Sequence, residues 1–233
     1  MEARKEILPL SEMAREIVRR IRNPLNALQL NIDNLDNEIA ELNLESKKTI
    51  PEQLKRIRES LAELDYFLCQ VLRLADLPTP QITVLNLNAL VGEVVTFARP
   101  ESSKKELALK VDLQENLPEM QGDPVQIKQA ILNVFLNAIE ACAVKGSVTL
   151  ATEAKDNHII LTITDSGAGI LEIDRDRLLE PFFTTKEEHA GLGLSLALEI
   201  VRMHQGRLSY ASEVGTDTTF SISLPTKREM RRR

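Results

Sequence analysis

Asp165-Ser166-Gly167-Ala168-Gly169-Ile170 decides how the rest of this chain is read. It closes an alternating run, His158 to Asp165, that predicts a strand, and it ends that strand on a carboxylate followed by two glycines. A carboxylate in that place accepts a hydrogen bond from an exocyclic amine, and the glycines let backbone come close to a ligand. Taken alone, such a loop is more often an ordinary turn. The reading therefore rests on what stands around it.

Downstream, Glu180-Pro181-Phe182-Phe183-Thr184-Thr185-Lys186 precedes Gly191-Leu192-Gly193-Leu194, which opens a helix expected from about Leu192 to His204. Glycines ahead of a helix N-terminus place free N–H groups and the positive end of the dipole where phosphates bind. Gly215-Thr216-Asp217-Thr218-Thr219-Phe220 then leads into the last strand. Upstream, Asp123-Pro124 is a cap followed by an N1 proline, which starts a helix expected to run to about Val144. Asn133 and Asn137 lie four apart on it and project from one face. A side-chain amide offers a carbonyl oxygen to a hard cation such as Mg²⁺; the plain alternative is an Asn137 hydrogen-bonded in the core.

The rest of this half alternates in the same way. Strands are expected at Ile82 to Leu87, Leu107 to Leu113, Ser147 to Thr152, Arg207 to Ala211 and Thr218 to Leu224, with Asn88 capping a helix towards Arg99. The Ser147 and His158 strands form a hairpin around Lys155-Asp156-Asn157. Strands and helices interleaved like this predict a sheet covered by helices on one face. Leu77-Pro78-Thr79-Pro80 is a short stiff linker in front of it, because each proline restricts itself and its neighbour. The tail Lys227 to Arg233 is basic and is expected to be disordered, the plain alternative being a solvated end.

Ahead of the linker the chain is helical. Ile7, Leu10, Ala14, Ile17 and Ile21 step by three and four, and Leu25, Leu28, Ile32, Leu35, Ile39 and Leu42 continue the rhythm. Two steps of four meet at Ile21, a stutter, and Pro24 just beyond it predicts a kink. Leu54, Ile57, Leu61, Leu64, Leu68, Val71 and Ala75 repeat the pattern after a polar turn, giving a helical hairpin. Two such seams bury little alone, so the expected solution is a homodimer whose two hairpins make a four-helix bundle.

Composition sets the outer limits. The 233 residues carry 29 Lys plus Arg against 35 Asp plus Glu, a net charge of -6 that argues against a nucleic-acid partner. No stretch is long and apolar enough for a membrane span, and no signal peptide opens the chain. Cys69 and Cys142 have neither zinc spacing nor a disulfide framework, in keeping with a cytoplasmic protein, complete or the cytoplasmic part of a longer receptor. Aromatic residues are 3% with no Trp, too few for an aromatic-lined sugar or single-strand site.

The order and spacing of the four glycine and asparagine elements resemble the ATP-binding domain of two-component histidine kinases, a branch of the gyrase, chaperone, kinase and mismatch-repair (GHKL) ATPase superfamily. The likeness runs from about Ile82 to Leu224, and the hairpin resembles that family's dimerisation and phosphotransfer domain. The resemblance implies an α+β chain: hairpin at 1–77, linker at 78–81, α/β-sandwich ATP-binding domain at 82–226 and basic tail at 227–233. It implies ATP and Mg²⁺ as ligands, with Asn133 and Asn137 as the N box and Asn137 on the metal. Asp165, Gly167 and Gly169 become the G1 box, with Asp165 reading the adenine amine. Phe182 and Phe183 fall in the F box, Gly191 and Gly193 in the G2 box over the phosphates, and Gly215 and Thr218 in the last element, where Asp217 replaces a usual second glycine.

The hairpin departs from its family. The expected motif reads histidine, acid, apolar, basic, Asn or Thr, Pro, Leu; this chain reads Arg19-Arg20-Ile21-Arg22-Asn23-Pro24-Leu25. Arg19 holds the phosphoacceptor position, outside the apolar seam. A guanidinium is always protonated and has no lone pair for phosphorus, and Arg20 replaces the acid that orients the histidine and takes its proton. Autophosphorylation on the usual residue is thereby lost. Asn23 is retained, one turn on, where the resemblance implies a residue positioning water to dephosphorylate a response-regulator receiver domain. Arg19, Arg20 and Arg22 suit a receiver's acidic pocket or, equally, are a solvated basic patch. Three readings stay open: signalling by conformation, docking or residual phosphatase activity; a kinase acting in trans on a partner's histidine; and an altered acceptor in an active sensor kinase. An ATP-hydrolysing machine of the superfamily uses a glutamate base four residues before the metal asparagine, where this chain has Asn133.

Overall fold

A computed structural model describes residues 21, 23–28, 30–35, 52–61, 64, 77–186 and 191–227. The chain divides into two compact units, Met1–Asp76 and Leu77–Arg233. In the first, residues 21, 23–28 and 30–35 are helical (α1), as are 52–61 and 64 (α2). The helical state continues on both sides of Pro24. Leu28 is buried, whereas Leu25, Leu30, Ile32, Leu54 and Leu61 are exposed in the single chain. Arg19, Arg20 and Arg22 lie outside the described residues.

In the second unit the elements run β1 (Thr83–Leu85), α3 (Leu87–Lys104), β2 (Ala108–Leu113), β3 (Met120–Gly122), α4 (Pro124–Ala141), β4 (Ser147–Lys155), β5 (His158–Asp165), α5 (Glu172–Arg175), α6 (Gly193–Met203), β6 (Arg207–Glu213) and β7 (Asp217–Pro225). The main sheet has the order β2-β4-β5-β7-β6. Its β2–β4 pair is parallel and the others are antiparallel. Helix α4 packs against α3, α6 and β5, and α6 packs on β6 and β7, so the helices form one layer.

Alternation explains which face they cover. In β5, Ile159, Leu161, Ile163 and Asp165 are buried while the residues between them are half-exposed. In β7, Thr218, Phe220, Ile222 and Leu224 behave likewise, as a period of two requires. Ile163 pairs with Phe220 and Asp165 with Thr218, so the row of core side chains ends in one carboxylate and one hydroxyl. From above, α4 contributes Ile127, Ala130, Ile131, Val134, Phe135, Ala138 and Ile139 at helical spacing.

The expected hairpin forms with a two-residue turn, Asp156 and Asn157 both at positive φ, the geometry that matches strand twist. Asn86, rather than Asn88, caps α3, its side chain accepting from the Ala89 N–H. Asn88 instead joins β2 to β4: its Nδ2 donates to the Gln114 carbonyl, and its Oδ1 accepts from the Thr152 hydroxyl. The three-residue β3 pairs antiparallel with β1 and is too short to show alternation in sequence. Helix α4 ends at Ala141 rather than near Val144.

Asp123 caps α4 as its sequence predicts, Oδ1 accepting from the N–H groups of Val125 and Gln126. Its Oδ2 accepts from the Gln81 N–H at 2.8 Å, and Gln126 Nε2 donates to the Pro78 carbonyl at 2.7 Å. The proline linker is therefore tied to the helix start. His204, buried at the end of α6, accepts from the Asp123 N–H through Nε2 and donates from Nδ1 to the Ile200 carbonyl, a structural role. Burial raises the Asp123 carboxyl, but the three N–H donors outweigh it and hold its pKa below the ordinary 3.8. Asp123→Ala is expected to lower stability by about 2 kcal/mol, one cap plus one linker hydrogen bond. A depressed carboxyl stabilises above its unfolded pKa, and that contribution disappears as pH falls through the folded value. Urea midpoints of the Ala variant will accordingly converge on those of the unsubstituted chain in acid, and divergence there would contradict this account.

Candidate functional site

Asp165 is 1% exposed. Its Oδ1 accepts from the Gly167 N–H at 2.9 Å, and its Oδ2 is buried with no hydrogen-bond partner among the described residues. A buried acceptor without a donor is costly, so this atom marks a place where a donor is missing. Burial pushes the carboxyl up to about 6, the nearby Asp217 carboxylate adds to the rise, and the Gly167 N–H and the Lys186 ammonium oppose it. Asp217, the departure from the expected glycine, thus acts directly on Asp165.

Thr218 stands opposite Asp165 across the β5–β7 ladder, yet its hydroxyl is directed to Ser212 Oγ at 2.9 Å. The Ser212 hydroxyl donates to the Asp217 carbonyl and accepts from the Ile170 N–H, so the proton between the two hydroxyls comes from Thr218. Ser212, which no motif singles out, thereby anchors the glycine loop. A second tie is the Gly215 N–H on the Ala168 carbonyl at 2.8 Å.

The glycines serve the protein's own packing more than the expected approach of a ligand. A Cβ on Gly167 would meet the Ala141 carbonyl oxygen at 2.8 Å, one on Gly169 would sit against the Glu213 carbonyl, and one on Gly191 would meet the Phe183 carbonyl oxygen at 2.5 Å. Gly169 and Gly191 also have positive φ. Phe182 is buried at positive φ and donates its N–H to the Gly191 carbonyl, so the Phe182–Phe183 turn and the Gly191 turn are one unit. Arg177 lies over the Phe183 ring, 4.8 Å from its centroid.

Gly193 differs: a Cβ there would find Asn133 at 3.9 Å, ordinary contact distance. It opens α6, whose cap residue Leu192 makes no side-chain cap hydrogen bond, so among the described residues no side chain caps the first turn, an arrangement that suits an anion. Asn133 Oδ1 accepts from Gln129 Nε2, and its Nδ2 is buried without a partner. Asn137, half-buried one turn further, makes no side-chain hydrogen bond among the described residues. One more turn along, Glu140 pairs with Lys186 at 2.8 Å, which fastens the end of the Phe182–Lys186 segment to α4. The structure therefore brings Asn133 to Gly193 and Asp165 to Gly167 and Thr218, along one side of α4. Among the described residues no group of three His, Cys, Asp or Glu is placed to hold a metal, and no helix is long and apolar enough to cross a membrane.

The site fits an adenine nucleotide on three counts: a buried carboxylate oxygen lacking a donor, an uncapped helix N-terminus, and two asparagine amides between them. Residues 122–228 match the family described as histidine kinase-, DNA gyrase B-, and HSP90-like ATPase. The chain is 29% identical over 226 residues to the sensor histidine kinase ZraS of Escherichia coli (strain K12), covering 97% of this chain and 47% of that protein. It is also 29% identical to sporulation kinase E of Bacillus subtilis (strain 168), covering 96% of this chain and 30% of that protein. The chain thus spans about half or less of the length of these relatives. Among solved structures, the histidine kinase ThkA in complex with the response regulator TrrA shares the fold with a TM-score of 0.76 at 24% identity, covering 93% of this chain and 62% of that one.

Proposed function

We propose that this chain, whose residues 122–228 match the family described as histidine kinase-, DNA gyrase B-, and HSP90-like ATPase and which is similar to a sensor histidine kinase and a sporulation kinase, is a two-component histidine-kinase core that binds Mg·ATP, dimerises, and does not phosphorylate itself on the usual residue. The observation that carries the nucleotide reading is the buried, unpartnered Oδ2 of Asp165. Asp165 would accept from the adenine amine, the first N–H groups of α6 would hold the phosphates, and Asn137 would supply an amide oxygen to Mg²⁺. Bound ATP supplies the γ-phosphoryl group, and Arg19 has no lone pair to take it. The exposed Leu25, Ile32, Leu54 and Leu61 of the apolar seams support a homodimer through the hairpin at 1–77, since a four-helix bundle buries such seams. Asn23, exposed on its helix, is the residue that would position water on a docked receiver domain, and the solved kinase–regulator complex of a fold relative supports that partner. Signalling then proceeds by conformation, by regulator docking or by phosphatase action.

Binding is tested by melting the protein with and without Mg·ATP. At a hundredfold excess over Kd the ligand adds about 2.7 kcal/mol, which raises the midpoint by about 5–10 °C for a chain of this size. An unmoved midpoint at millimolar nucleotide would overturn the reading.

A further inference from the structure

Helix α4 ends without the usual devices. Its last turn contains no basic residue, and its C-cap Cys142 is extended rather than left-handed, so the terminal carbonyls need outside donors. Lys105, from the turn between α3 and β2, provides them. Its ammonium donates to the carbonyls of Ile139 at 3.1 Å, Glu140 at 2.9 Å and Cys142 at 3.0 Å, three donors on three acceptors. Its own carbonyl accepts from the Lys145 N–H, so one residue grips both the helix end and the turn after it.

That end is the wall of the adenine subsite. The Ala141 carbonyl oxygen is 2.8 Å from where a Gly167 Cβ would be, and the Gly167 N–H is the sole protein donor to Asp165 among the described residues. Ser166 is pinned beside it, accepting from the Ser147 N–H at 2.8 Å and donating its own N–H to the Ser147 carbonyl. The helix end touches this loop at two points, the Ala141 carbonyl against Gly167 and the Cys142 thiol donating to the same Ser147 carbonyl at 3.4 Å, so a shift of that end bears on Gly167, whose N–H holds the carboxylate.

We propose that Lys105 is a positioning residue for base recognition: by clamping the end of α4 it sets Asp165 where Oδ2 meets the amine of adenine. This rests on the nucleotide reading above. The test measures Kd for ATP and for ITP, whose base has an oxygen in place of that amine, well below the melting temperature. The unsubstituted chain should prefer ATP by about tenfold or more, the worth of one hydrogen bond to a charged acceptor. Lys105→Met should lose most of that preference, chiefly through weaker ATP binding. Asn86→Ala removes the cap of α3 and destabilises the protein without touching Asp165, so it should keep the ratio. If Lys105→Met does not fold, Lys105→Arg, which keeps the charge in a different donor geometry, should give a partial loss. Lys105 variants that melt earlier but keep the full preference would overturn the proposal and leave the adenine site standing. An unsubstituted chain with no preference would instead remove the adenine site, and this inference with it.

Discussion

Asp165→Asn is expected to abolish the nucleotide-dependent rise in melting temperature while making the ligand-free protein more stable at pH 8. The first effect follows from Oδ2: an amide presents a donor to the amine that the carboxylate accepts, and affinity should fall about a hundredfold. The second follows from linkage. Asp165 has its pKa raised from 3.8 to about 6, so the folded state holds the proton more tightly than the unfolded state. Stability is therefore greatest below the unfolded value, falls as pH rises from about 4 to 6, and stays lowered above. The difference amounts to about 3 kcal/mol at pH 8. The new amide leaves its own N–H groups unpaired, which returns about 1–2 kcal/mol of it, so a net gain of about 1 kcal/mol remains. Nucleotide affinity of the unsubstituted chain should weaken below pH 6, where the carboxyl is protonated. Thermal melts at pH 5 and pH 8, with and without Mg·ATP, check all of this, and an Asn variant that still binds ATP tightly would remove Asp165 from the site.

A chain carrying Arg19→His together with Arg20→Glu is expected to label itself from γ-labelled ATP under conditions in which the unsubstituted chain does not. A neutral imidazole nitrogen attacks the γ-phosphorus, the bond from that phosphorus to the β–γ bridging oxygen breaks and ADP leaves, and the adjacent carboxylate orients the ring and takes the proton released from the other nitrogen. Arg19→His alone should label about 100-fold more slowly, the usual worth of a general base. The product should be acid-labile, as a phosphoramidate is. Labelling of the double variant alone means that the nucleotide domain is competent and two positions hold it silent. If the double variant binds ATP but does not label, the defect lies in the hairpin or in its coupling to the ATP domain, and a docking role comes first. Label on the chain as it stands would mean another acceptor, and label on an added histidine-bearing hairpin would favour action in trans.

Much of the second unit was legible because its signals are local. The β5 row Ile159, Leu161, Ile163, Asp165 is visible as alternation, and Asp123-Pro124 announces the start of α4. Boundaries failed where two polar residues compete locally. Asn86 and Asn88 are both plausible caps, and Asn88 is engaged with Gln114 and Thr152, 26 and 64 residues away. The roles of the site residues were less legible still. The glycines at 167, 169 and 191 are obvious in sequence, but what they avoid is backbone from Ala141, Glu213 and Phe183. Thr218 was read as part of the site, and its proton goes to Ser212.

The sequence by itself determined the order of the longer strands and helices, though not the short β3 and α5, together with the carboxylate at the end of β5, the glycine turns before α6, and a guanidinium at position 19. Each is a property of neighbouring residues, set by side-chain periodicity, backbone freedom or the chemistry of one functional group. The tertiary structure decided that Asp165 Oδ2 lacks a partner, that Asp217 and Lys186 act on its charge, and that Lys105 holds the helix end beside it. Those are relations between elements distant along the chain, and burial and hydrogen-bond accounting exist once the layers have closed.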